Sequence, residues 1–147
     1  MSDLTRGELA KQSGVNRETI RYYERNGLLP TPDRTEANYC LFAPKTVQRV
    51  RFIKRAQAVG FSLTEIKVLL DLKFSKEATC GSVRNVVRGK IAEIDEKIAA
   101  LTAMRDVLVT LNEDCPGGEH PISECPILES FSEAQDMERA FAALEQE

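Results

Sequence analysis

The stretch TRGELAKQSGVNRETIRYYERNG, Thr5 to Gly27, decides the fold. It opens on Thr5-Arg6-Gly7-Glu8, a capping box in which a threonine hydroxyl caps a helix start and the glutamate reaches back to it. The helix that follows turns Leu9 and Ala10 inward and runs to about Ser13. Gly14-Val15-Asn16 reads as a three-residue turn, with Gly14 free to take positive φ and Asn16 able to cap a second helix that closes at Gly27. Helix, short glycine turn, helix is the helix-turn-helix pattern. Along the second helix, cations interleave with tyrosines. Asn16, Arg17, Thr19, Arg21 and Tyr22 are the candidate DNA-binding residues, because arginine reads guanine edges and tyrosine hydroxyls hold phosphates. Ile20 and one of the two tyrosines belong to the core.

Beyond Gly27, Pro30, Pro32 and the polar run Asp33 to Asn38 break the helix, and Tyr39-Cys40-Leu41-Phe42 is apolar and β-compatible. This segment predicts a small β wing, with Arg34 and Tyr39 as its candidate DNA contacts. Pro44 at a first-turn position predicts a third helix to Gly60, apolar along Val47, Val50, Phe52 and Ile53 and basic elsewhere. Ser62-Leu63-Thr64-Glu65 is a second capping box, opening a fourth helix with Ile66, Leu69 and Leu70 on its buried side.

From about Gly81 to Asn112 the pattern becomes one long helix. Val87, Ile91, Ile94, Ile98, Leu101, Met104, Leu108 and Leu111 recur at alternating threes and fours, close to a coiled-coil seam. A partner chain is the expected cover for this stripe, in a two-fold symmetric antiparallel homodimer. The organisation is therefore a DNA-binding domain over 1–75, a dimerisation helix over 81–112, a loop and short terminal helix over 113–131, and a tail over 132–147.

Charge follows the same division. Residues 1–75 carry thirteen Lys and Arg against eight Asp and Glu, a net +5, and residues 76–147 carry seven against fifteen, a net −8. A basic half beside an acidic one suits contact with a polyanion through the first alone. The sequence has no apolar run long enough to span a bilayer, and its first twenty residues lack the apolar core of a secretory signal. The expected location is cytoplasmic. Structural disulfides are rare there, so the four cysteines point to metal binding, redox sensing or packing.

Cys80 stands just before the predicted long helix, and Cys115 just after it, with His120 and Cys125 in the loop EDCPGGEHPISECPI. Thirty-odd helical residues at about 1.5 Å each separate the two helix ends by roughly 45–50 Å. In an antiparallel dimer the start of one helix lies beside the end of the other. Geometry then permits two sites, each with Cys80 from one subunit and Cys115 and Cys125 from its partner. Three thiolates suit a soft, low-coordination ion better than four-coordinate zinc, unless His120 serves as a fourth ligand. Pro116-Gly117-Gly118 turns the loop, and the helix opening at Cys125-Pro126 is expected to favour a thiolate at its N-terminus. Cys40, in the wing, reads as a small buried apolar residue. No Ser/His/Asp set, phosphate loop or carboxylate pair is present, so the sequence does not read as an enzyme.

GELAKQSGVNRETIRYYERNGLLP, NYCLFAPKTVQRVRFIKRAQAVGFSLTEIKVLL and CPGGEHPISECPILESF together resemble the MerR-type transcription regulators, over roughly residues 5–131. The resemblance implies a mainly α fold, with a winged helix-turn-helix followed by an antiparallel dimerisation helix and a metal-binding loop. It also implies a dimer that represses a promoter when empty and, with metal bound, distorts the DNA so that RNA polymerase can use it. Cys80, Cys115 and Cys125 match the three cysteines of mercury sensors, implying Hg(II), with Zn(II), Cd(II) or Pb(II) as alternatives. Pro116 stands where zinc sensors commonly have a second cysteine, whereas His120 matches their loop histidine. Two positions depart from the family: Cys40 replaces the usual wing arginine after the tyrosine, and Phe42 replaces a tyrosine. The sequence also leaves open a thiol redox switch, in which Cys115 and Cys125 oxidise to a disulfide, as an alternative mode of control.

Overall fold

Thr5 both ends strand β1 (Leu4–Thr5) and caps helix α1 (Arg6–Ser13). The structure, a computed structural model, describes residues 2–30, 32–34, 36–37, 40–132, 141–142 and 144. Its capping box closes as the sequence predicts: Thr5 Oγ1 accepts from the Glu8 N–H at 3.2 Å, and the Thr5 N–H donates to Glu8 Oε2 at 2.8 Å. Gly14 takes the left-handed conformation at φ 75°, and the chain turns directly into α2 (Arg17–Arg25).

Strands β2 (Asp33–Arg34) and β3 (Cys40–Phe42) complete a three-stranded antiparallel sheet in the order β1-β3-β2. Leu4 faces Phe42, Thr5 and Asp33 flank Leu41, and Arg34 faces Cys40. The wing is therefore larger than the sequence suggests, because its first strand comes from ahead of α1. Helix α3 (Thr46–Ala58) starts after a turn holding Pro44, in which the Thr46 N–H reaches the Ala43 carbonyl. Helix α4 (Leu63–Lys73) has the second capping box, on Ser62 and Glu65.

The chain divides into two compact units, Met1–Lys90 and Ile91–Glu147. The core of the first is Leu9, Ile20, Tyr23, Leu28, Phe42, Val50, Ile53, Ile66 and Leu70, all but sealed from solvent. Each such side chain contributes about 1.5–3 kcal/mol of transfer free energy, which holds four short helices and a minimal sheet as one piece. Tyr23 is the core tyrosine, its hydroxyl donating to Gln57 Oε1 at 2.6 Å, and burial raises its pKa. Three cations of α3 serve the fold. Arg49 Nε donates to the Leu28 carbonyl, Arg51 Nη2 to that of Gln12, and Lys54 Nζ to that of Gly14. The last two satisfy carbonyls around the end of α1.

Helix α5 (Cys80–Asp114) is longer at both ends than the sequence pattern indicates, and Cys80 is its first residue rather than the one before it. Its 35 residues span about 52 Å. Along the predicted seam, Ile91, Ile98, Leu101 and Leu108 are more than half exposed in the isolated chain, while Leu111 is buried together with Val107. A 3₁₀ turn (Ile122–Glu124) and the seven-residue α6 (Pro126–Ser132) follow, and the Phe131 ring lies 5.5 Å from that of Phe141. Among the described residues no helix is long and apolar enough to cross a membrane.

Candidate nucleic-acid interface and thiol loop

Helix α2 presents the side chains selected from sequence, but they are not equivalent. Asn16 Oδ1 accepts from both the N–H and the hydroxyl of Thr19, at 2.8 and 2.9 Å, so this pair builds the helix start. Arg17 lies across the beginning of α1, where a Cβ on Gly7 would come within 2.7 Å of its Nη2. Arg21 pairs with Glu18 at 2.9 Å in an exposed i,i+3 contact of small energetic weight. Tyr22 is 47% exposed, in contrast to its buried neighbour. Arg34 projects from β2 opposite Cys40, while Tyr39 lies outside the described residues.

Cys40 differs from the sequence expectation. It is half-buried rather than sealed, and Arg6 Nη2 donates to its sulfur at 3.4 Å. The same guanidinium forks onto Glu24, with Nε and Nη2 at 3.1 and 3.2 Å from the two carboxylate oxygens. That fork raises the already high pKa of Arg6, which stays charged. Sequence reasoning missed the bracing of Arg6: its partners are 18 and 34 positions away, and no local pattern signals them.

In the second unit, the Cys115 N–H closes onto the Leu111 carbonyl, so this cysteine completes the last turn of α5. Gly117 and Gly118, at φ 68° and 64°, then reverse the chain with a conformation that side chains resist. Pro121 starts the 3₁₀ turn, which delivers Cys125 back to the same place. Cys115, His120 and Cys125 border one cavity of about 150 Å³. Both thiols are half-buried, His120 is exposed, and Cys80 is exposed at the head of α5. All four thiols are free. Among the described residues, no three His, Cys, Asp or Glu side chains of one chain gather around a metal-sized point.

The profile described as "MerR HTH family regulatory protein" matches residues 4–73, and the one described as "MerR, DNA binding" matches residues 47–111. The mercuric resistance operon regulatory protein of Bacillus cereus is 47% identical over 125 residues, which cover 85% of this chain and 94% of that protein. The chain belongs to the MerR family. A MerR regulator is a DNA-binding transcription factor and not an enzyme, in keeping with the basic first unit. The HTH-type transcriptional regulator ZntR of Escherichia coli (strain K12) is 37% identical over 128 residues, 86% of this chain and 91% of ZntR. Among solved structures, the transcription regulator PbrR691 from Ralstonia metallidurans CH34, in complex with lead(II), superposes with a TM-score of 0.79. It is 36% identical, and the match covers 88% of this chain and 99% of PbrR691.

Proposed function

We propose that this MerR-family protein is a metal-responsive transcription regulator whose inducer is Hg(II), held by Cys80 of one protomer with Cys115 and Cys125 of its partner. In this reading a homodimer represses a resistance promoter when metal-free and activates it by DNA distortion when loaded, with RNA polymerase as the beneficiary. The observation that carries it is the pair of half-buried thiols, Cys115 and Cys125, folded onto one small cavity at the end of a helix that begins with Cys80. Sulfur donors in a partly desolvated pocket suit a thiophilic ion. Bound there, the metal supplies a link between the head of one α5 and the loop of the other chain.

The protein's own residues do the rest. The exposed apolar stripe of α5 supports an antiparallel pairing of two chains, which brings each Cys80 toward the partner's loop. Arg17, Arg21, Tyr22 and Arg34 hold promoter DNA, while Asn16 and Thr19 fix the start of the helix that carries the first three. The functional division follows as residues 1–75 for DNA, 81–112 for dimerisation and 113–131 for the metal.

A second metal class has its own support. His120 borders the thiol cavity, and a nitrogen ligand suits Zn(II). ZntR and lead-bound PbrR691 are relatives at 37% and 36% identity. Titrating the reduced dimer with Hg(II) while recording thiolate-to-metal ultraviolet absorption tests the site. No band at one metal per dimer or above overturns it. Competition among Hg(II), Zn(II), Cd(II) and Pb(II) in a promoter-activation assay then ranks the inducers. Cys80→Ser is expected to abolish induction and leave DNA binding intact.

A further inference from the structure

Between the wing and the start of α1 lies a cavity of about 370 Å³ lined by Thr5, Arg6, Gly7, Arg17, Arg21 and Cys40. Three of its six lining residues are arginines. The two strand residues there, Thr5 and Cys40, supply no positive charge. We propose that this cavity seats a phosphodiester of the DNA backbone, with Arg6 as a principal ligand in place of a cation on the wing. The inference rests on the reading of α2 as the DNA-facing helix and extends it to a residue outside that helix.

Several features suit Arg6 to this role. Its Nε and Nη2 are anchored by Glu24, and Nη2 also contacts Cys40. Its Nη1 makes no hydrogen bond among the described residues and carries two donors. An arginine braced along one edge offers the other in a fixed direction, which lowers the ordering cost of gripping a phosphate. The side chain of Arg6 is 25% exposed and that of Glu24 17%, so the brace is partly shielded from water while the cavity mouth stays open. Gly7 contributes by omission. With no side chain there, the Arg17 guanidinium can lie over the backbone next to Arg6. Two like charges held close in one pocket repel, and an anion between them relieves that repulsion.

The source of the phosphate is duplex DNA rather than a free anion, because Arg17 and Arg21 continue from the cavity along α2. A phosphate contact is independent of sequence, so a short mixed-sequence duplex labelled with a fluorophore is a sufficient probe. Binding of the full-length dimer is followed by anisotropy across a salt series. Arg6→Met keeps the apolar stem and removes the charge. It is expected to lower the slope of log K against log salt by about 0.9, equivalent to roughly eight-fold weaker binding at 0.1 M salt. An unchanged slope in a variant that melts as the parent does overturns the proposal.

Arg17→Met and Arg21→Met serve as references. If they lower the slope and Arg6→Met does not, the Arg6 assignment alone falls. If none of the three lowers it, the DNA-facing reading of α2 falls with it. A measurement on the parent protein removes any dependence on the stability of the variant. The guanidinium ¹⁵N signals of Arg6, assigned by their loss in Arg6→Lys, are expected to shift on adding the duplex. Signals that stay in place overturn the role.

Discussion

Lys90 places its ammonium 2.9 Å from Oε1 of Glu65, joining the third turn of α5 to the first turn of α4. Its side chain is only 6% exposed, and its Nζ also sits 5.5 Å from the centre of the Phe61 ring. Glu65 is at once the N3 residue of the α4 capping box and the partner of a cation on α5. One carboxylate thus serves both a local cap and a contact between helices.

The backbone N–H of Ser62, followed by the Lys90 ammonium, holds the Glu65 carboxyl down at about 2, from an ordinary value of 4.5. A depressed folded-state pKa means that the anion stabilises the fold. That contribution is complete above pH 4.5 and disappears as pH falls through about 2. Melting curves of the parent and Glu65→Gln are therefore expected to differ by a constant amount above pH 5. The difference closes between pH 4.5 and 2. A gap that persists at pH 2 contradicts the assignment.

Asn16 is a cap, and its substitutions separate folding from DNA binding. Asn16→Ala is expected to cost about 1 kcal/mol in denaturant unfolding, through the lost bond to the Thr19 N–H. Asn16→Asp keeps the cap, so its unfolding midpoint stays near that of the parent. If α2 faces DNA as proposed, its added negative charge is expected to weaken binding to a duplex.

The adjacent tyrosines are expected to behave oppositely. Tyr23→Phe removes the 2.6 Å bond to Gln57 and lowers stability by about 1 kcal/mol while leaving DNA affinity unchanged. Tyr22→Ala removes a half-exposed ring, so its main effect is weaker DNA binding. Thermal melts and duplex titrations of both variants, side by side, check this.

A metal site shared between chains has a signature in mixed dimers. Cys80→Ser subunits and Cys115→Ser/Cys125→Ser subunits each lack a complete three-thiolate site as homodimers. Refolded together, they form mixed dimers in which one of the two sites is intact. Hg(II) titration of the mixture is expected to recover the three-thiolate absorption band that both separate samples lack. Failure to recover it places the three cysteines in some other arrangement.

The helix-turn-helix was legible because its determinants are local. The Thr5–Glu8 and Ser62–Glu65 boxes, the left-handed Gly14 and the Asn16 cap each involve residues within three or four positions. The long helix was legible for a related reason, since a seam repeated over many turns outweighs errors at its ends. Strand β1 was hidden, being two residues long and defined only by pairing with Leu41 and Phe42. The roles of Arg51 and Lys54 were hidden too. A basic helix looks the same in sequence whether its cations face a phosphate or the carbonyls of Gln12 and Gly14. The cysteine loop lies between these cases. Its spacing suggested a clamp, but the folded chain brings together two of the three thiols, and the third joins them only in the proposed dimer.

Thr5 sits in the sheet and in the α1 cap at once. The wing therefore cannot lift away from the helix-turn-helix without uncapping α1, at a cost of about 1 kcal/mol beyond the strand bonds. The helix-turn-helix and the sheet thus form a rigid jig with no hinge between them. In the proposed dimer, a duplex held by two such jigs must itself absorb any change in their spacing, which makes the DNA the compliant element.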